Sequence, residues 1–227
     1  MQYEIKCEPF PVVVCGLQQG ESMITESGAM SWMTPGIEMQ TKGGSVGKAL
    51  GRLFTGESLF LNIYTAQQPN REIAFAARFP GKIIPIEISQ GYNMVVQKSG
   101  FLACTSGVEL SIAYKKKISA SLFGGEGFIM QKLSGQGTAF IEIDGDVVPY
   151  ELQAGEVKYI NTGALAMMDE SVTMEIEMVK GVKNIFFGGE GLFLTKVTGP
   201  GRIWLQTMPI SNLAESLIPY LPSSSNG

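Results

Sequence analysis

Apolar and polar residues alternate along short stretches of this chain, and glycine-rich breaks separate the stretches. Val172, Met174, Ile176 and Met178 alternate with Thr173, Glu175 and Glu177, and Val108, Leu110, Ile112 and Tyr114 do the same around Glu109 and Ser111. Successive side chains on a strand point to opposite faces, so this period of two gives one apolar face and one polar face. Glycine turns at 134–137 and 198–201 lead into further strand segments at 139–143 and 203–207, and the longer turn Gln67-Gln68-Pro69-Asn70 precedes another at 72–78. Short strand runs between turn signals describe sandwich-like β units. Two segments break the pattern. Residues 45–53 predict a short helix, and 211–217 predict another with Ser211 or Asn212 as N-cap, limited by Pro219 and Pro222. The final residues, 223–227, read as a tail.

The strand segments fall into three similar units. An aromatic residue, a small residue and Gly-Glu recur as Phe54-Thr55-Gly56-Glu57, Phe123-Gly124-Gly125-Glu126 and Phe187-Gly188-Gly189-Glu190. The glutamates lie 69 and 64 residues apart (57 to 126, 126 to 190). Three more markers keep this order: the turn glycines Gly20, Gly91 and Gly155, a second set at Gly28, Gly100 and Gly163, and alternating segments opening at Ile37, Val108 and Val172. The expected fold class is therefore all-β, with three tandem β-sandwich-like repeats at about 3–81, 82–146 and 147–209 and a short helix and tail over 210–227. A unit of this size holds only a small core by itself, so stacking the units edge to edge would bury a shared interior. The terminal units would then each keep an unpaired strand edge. Such edges invite either closure of the three units on themselves or a head-to-tail ring of identical chains.

Composition narrows the chemistry. The net charge is −4 and histidine is absent. The acidity argues against a general electrostatic grip on nucleic acid. The missing histidine removes Ser-His-Asp and Cys-His catalysis and most zinc sites. Cys7, Cys15 and Cys104 form no C-x-x-C pair and read as reduced, isolated thiols, with Cys104 as apolar filler rather than a nucleophile. No apolar stretch is long enough to span a membrane, and the first residues do not read as a signal or transit peptide, so a cytoplasmic location is expected.

The threefold Phe-x-Gly-Glu motif with Ser/Thr-Gly turns upstream resembles bacterial relatives of the mitochondrial biogenesis protein family, over roughly residues 3–209. The resemblance implies three repeats similar in fold to the tryptophan RNA-binding attenuation protein, a short double-stranded β-helix type of unit. It also implies a homotrimeric ring of nine units, and it selects the ring over self-closure. It carries over no catalytic residue.

Three features invite a functional reading. Glu57, Glu126 and Glu190 could form a carboxylate ring for cations or a small ligand. The favoured reading is structural, each glutamate accepting backbone N–H groups of its glycine turn. The Gly-Gly-Glu-Gly loops match no phosphate-binding motif and read as hairpin turns. Basic residues before each motif (Lys48 and Arg52; Lys115, Lys116 and Lys117; Lys180 and Lys183) could track an anion, but read first as solvated charges that discourage edge aggregation. The twelve methionines read mainly as core filler, and Trp32 and Trp204 as aromatics packed between strands. The expectation is a non-enzymatic, ring-forming structural or binding protein with no cofactor or metal and itself as main partner. A carboxylate-based enzyme or a ligand- or cation-binding ring is the alternative, and an RNA or polyanion binder the third.

Overall fold

Strands make up almost all the regular structure in the computed structural model, which describes residues 1–26, 28–42, 61–117, 127–178, 193–217 and 220. After β1 (Gln2–Lys6) come three runs of six strands. The first run is β2 (Val12–Leu17), β3 (Ser22–Glu26), β4 (Met30–Met33), β5 (Ile37–Lys42), β6 (Leu61–Ala66) and β7 (Arg71–Ala76). The second is β8 (Gly81–Ile88), β9 (Met94–Gln97), β10 (Phe101–Thr105), β11 (Val108–Lys116), β12 (Phe128–Gly135) and β13 (Gly137–Asp144). The third is β14 (Val147–Leu152), β15 (Val157–Asn161), β16 (Leu165–Asp169), β17 (Thr173–Met178), β18 (Phe193–Thr198) and β19 (Gly201–Gln206). A single described α-helix, α1 (Ile210–Leu217), follows.

The pairing scheme is the same in each run, and every pair is antiparallel. In the first run β7 lies between β2 and β4, and β6 lies between β3 and β5. In the second, β13 lies between β8 and β10, and β12 between β9 and β11. In the third, β19 lies between β14 and β16, and β18 between β15 and β17. Adjacent runs join edge to edge, β3 to β10 and β9 to β16. The resulting sheets run β1-β2-β7-β4, β5-β6-β3-β10-β13-β8, β11-β12-β9-β16-β19-β14 and β15-β18-β17.

The joints are where the core sits. Val13, Leu17, Met23, Ile73 and Phe75 of the first run pack with Leu102, Ala103 and Phe140 of the second. Val95, Phe128 and Met130 of the second run pack with Leu165, Met168, Val197 and Ile203 of the third. Burying a side chain of this size removes apolar surface worth about 1.5–3 kcal/mol, so neighbouring runs depend on one another for their interiors.

Local details also recur. The register slips by one residue at the same place in β4, β10 and β16. Just after each slip a side chain accepts a backbone N–H from the long central strand: Thr34 from Glu72 at 2.9 Å, Thr105 from Thr138 at 3.1 Å and Asp169 from Arg202 at 2.9 Å. These acceptors hold the bulged strands against their partners.

Two expectations need correction. α1 begins at Ile210, and neither Ser211 nor Asn212 provides its cap. The Ile210 N–H is donated to Asp144 Oδ2 at 2.9 Å, so a carboxylate from the second run satisfies the helix start. Trp32 is not packed between strands: it is 48% exposed on β4, an edge strand with no outer neighbour among the described strands. The helix expected at 45–53 lies outside the described residues.

Candidate functional site: the open strand edges

The edges of the sheets differ in how they are finished. β2 is covered by β1, with Val14 opposite Glu4. The corresponding strands β8 and β14 have no outer neighbour among the described strands, and each carries a proline at the position of Val14. Val14, Pro85 and Pro149 lie opposite Ala74, Phe140 and Trp204, which share one register position in β7, β13 and β19. Proline has no N–H to offer an added strand, so it blunts both free edges. β5 and β17 carry Glu38, and Glu175 and Glu177, and β11 ends in Lys115-Lys116. Charges on an edge oppose self-pairing.

β4 has neither device, and β15 has no proline and a single charge, Lys158, whose Nζ lies 4.5 Å over the Tyr150 ring. Among the described strands each is unpaired on one side, and each exposes large apolar side chains: Trp32 and Met33 on β4, Val157 and Tyr159 on β15. Their counterparts inside the chain are sealed. Cys104 lies opposite Ile24 where β10 meets β3, and Met168 lies opposite Val95 where β16 meets β9. All four are buried, Ile24 at 2% and Val95 at 4% exposure. Tyr159 holds the position of Ile24 and Val95 within its run and is 57% exposed, and Met33 holds the position of Cys104 and Met168. Carried over to the open edges, the two interior registers put Met33 opposite Tyr159, Trp32 opposite Ile160 and Thr34 opposite Lys158.

A second contrast lies beside the joints. Glu142 Oε1 accepts the backbone N–H of Arg78 at 3.0 Å, and Glu142 Oε2 accepts the Arg78 Nε–H at 3.3 Å. Arg78 also reaches the Ser99 carbonyl. Gln206, one run further on, accepts the Asp144 backbone N–H at 3.1 Å and donates to the Gly163 carbonyl at 2.8 Å. Both interior joints are thus tied by a buried side chain. Ala76 stands at the same register position in the first run and can make no such bond.

Of the residues singled out from the sequence, Gly28, Gly100 and Gly163 are among the described ones. Gly56, Glu57, Gly125, Glu126, Gly189 and Glu190 lie outside the described residues, as do Lys48, Arg52, Lys180 and Lys183. Gly28 sits in a turn at φ +92°, whereas Gly100 and Gly163 sit in 3-10 turns without positive φ. Two other glutamates accept backbone N–H groups at glycine turns. Glu21 accepts the Gln18 N–H at 2.8 Å, and Glu156 accepts the Gln153 N–H at 2.9 Å, each closing a turn that contains Gly20 or Gly155. Lys116 donates to the Ile176 carbonyl and so ties the second run to the third.

No cluster of three metal-ligating side chains occurs among the described residues. Burial pushes the Cys15 thiol up to about 12 and the Cys104 thiol higher still, so both stay protonated and inert. Arg202 lies over the rings of Trp204 and Tyr92, but Asp169 and the Tyr92 hydroxyl occupy its guanidinium, leaving it poorly placed to hold an anion. No described helix is long and apolar enough to cross a membrane.

Comparison with known proteins agrees with this architecture. The profile of the family described as mitochondrial biogenesis AIM24 matches residues 3–208. An uncharacterized protein of Streptococcus pyogenes serotype M6 is 28% identical over 227 residues, covering 96% of this chain and 89% of its own. A crystal structure of a Streptococcus pyogenes protein superposes with a TM-score of 0.78 at 22% identity, covering 97% of this chain and 99% of the other. That likeness shows the fold.

Proposed function

The chain belongs to the mitochondrial biogenesis AIM24 family, and on that premise we propose that it is a ring-forming scaffold whose copies join head to tail, β15 of one against β4 of the next. One observation carries this reading: two proline-free edges with exposed large apolar side chains occupy the register positions that are paired and buried at both interior joints. Three units per chain and three chains per ring, as the resemblance implies, would leave neither edge exposed. The fused sheet would run β17-β18-β15 and then β4-β7-β2-β1. Its role would be structural or binding.

Light scattering coupled to size exclusion tests the assembly. A mass near three times 24.5 kDa supports the ring, and a species of 24.5 kDa at micromolar concentration defeats it. Native mass spectrometry of the same sample would reveal a retained ligand and favour the ligand-binding alternative.

A further inference from the structure

We infer that α1 and the residue leading into it, Met208, form a staple across the joint between two copies, covering the β3–β4 turn of the next chain. This rests on the head-to-tail pairing proposed above. The turns at Gly28, Gly100 and Gly163, which share a position in the three runs though Gly28 alone has positive φ, differ in what lies against them. At Gly100 an added Cβ would meet the Glu142 carbonyl at 3.0 Å, and Arg78 from the preceding run reaches Ser99 next to it. At Gly163 an added Cβ would meet Ser211 Oγ at 3.0 Å and Pro209 Cβ at 3.3 Å, so the start of α1 lies on that turn. At Gly28 an added Cβ would meet no described atom within 4 Å.

The helix is anchored but not buried. Asp144 holds its first N–H and the Gly163 turn holds Pro209 and Ser211. Yet Met208, Ile210 and Leu217 are exposed, Leu217 at 50%, and Leu213 is only half-buried. An anchored helix with its apolar residues in solvent has a free face to cover. The Gly163 turn directly follows β15, the open edge. With Trp32 of the next copy opposite Ile160, the start of that copy's β4, and with it the Gly28 turn and half-buried Ala29 and Met30, arrives next to the Gly163 turn where α1 sits. Met208 also stands two residues after Gln206, as Arg78 stands two residues after Ala76, so it follows the third run where Arg78 follows the first. The occupant of the α1 face is therefore a second copy of this chain.

The test uses the full chain with Ile210→Asp and Leu217→Asp together, and Phe10→Ser as a control at an exposed apolar residue in the β1–β2 turn. Dissociation on dilution would be followed by mass photometry, and the fold by circular dichroism. The expected result is an assembly that falls apart at about tenfold or more higher concentration than the wild type, with an unchanged spectrum and an unaffected control. An unchanged dissociation constant overturns the staple and leaves the edge pairing standing. A wild-type chain that is already monomeric overturns both. Should the double variant misfold, Leu217→Asp alone, remote from the Asp144 anchor, decides by the same reading.

Discussion

Where β3 meets β10, Ile24 faces Cys104 and both are buried, whereas on the open edge strand of the third run Tyr159 holds the register position of Ile24 in open solvent. The difference is not one of residue type, since both ends are apolar. It is whether a strand is present on the far side. A protein that ends its sheets in solvent blunts them, and this one does so at β8 and β14 with proline and at β5 and β17 with carboxylates. Leaving β4 and β15 without proline, with Trp32, Met33, Val157 and Tyr159 in solvent, is costly in a monomer and useful in a ring. The buried ties differ in the same direction. Glu142 and Gln206 lock the covalent joints, while Ala76 leaves the joint between chains without a lock, as a reversible contact requires.

The largest separation between the two regions is expected from truncating matched residues. Ile24→Ala should cost about 2–5 kcal/mol of folding stability, read by chemical denaturation. Tyr159→Ala should leave unfolding of the separated chain within about 0.5 kcal/mol of wild type and weaken assembly instead. Equal destabilisation by both would mean that β15 already has a partner within the chain.

Next in size is a charge on the open edge. Trp32→Glu should abolish the higher-mass species in light scattering while the circular dichroism spectrum persists, because an unpaired carboxylate buried in a strand joint is strongly unfavourable. A Trp32→Glu chain that still assembles would remove β4 from the interface.

A smaller effect separates covered from blunted edges. Val14→Pro takes an N–H from the edge that β1 covers and should cost about 1 kcal/mol or more. Pro85→Val should leave stability within about 0.5 kcal/mol and promote self-association, since it restores a donor on a free edge. Association of Val14→Pro but not of Pro85→Val would reverse this account of the edges.

The smallest effect is a pH dependence at the first joint. Burial raises the Glu142 carboxyl, and the Arg78 guanidinium offsets this only in part. A folded-state value above the unfolded one means the folded chain holds the proton more tightly. The contribution is fully present below the unfolded value and is lost as pH rises through the folded one. Glu142→Gln, which copies the residue at the second joint, should flatten thermal stability between about pH 4 and 7. A wild-type stability that instead falls on acidification through this range, with the variant flat, would show the carboxylate to be net stabilised.

Much of the fold was legible because it depends on side-chain alternation and turn chemistry. The segments opening at Val108 and Val172 are strands, as are 139–143 and most of 72–78. The all-β class follows from them. What could not be read was which edges meet. Pairing between β3 and β10 joins residues about eighty positions apart, and nothing local in Met23-Ile24-Thr25 distinguishes a paired edge from a free one. Trp32 was misplaced for the same reason: an apolar residue on an alternating segment looks buried unless the neighbour is known to be missing. Pro85 and Pro149 were the available signal, since proline inside a strand marks a free edge, and the two fall in step with each other. The Thr34, Thr105 and Asp169 acceptors escaped notice because hydroxyl and carboxylate do one job at an equivalent position without sharing a residue type.

A disulfide trap tests the head-to-tail joint most directly. In a Cys7→Ser background that carries Met33→Cys and Tyr159→Cys, mild oxidation should link residue 33 of one chain to residue 159 of the next, giving covalent species at multiples of 24.5 kDa that end at a closed ring. The pair Thr34→Cys and Lys158→Cys, one position along the same ladder, should behave alike. Links only between identical positions, or none in a sample whose mass shows assembly, would contradict the pairing of β4 with β15.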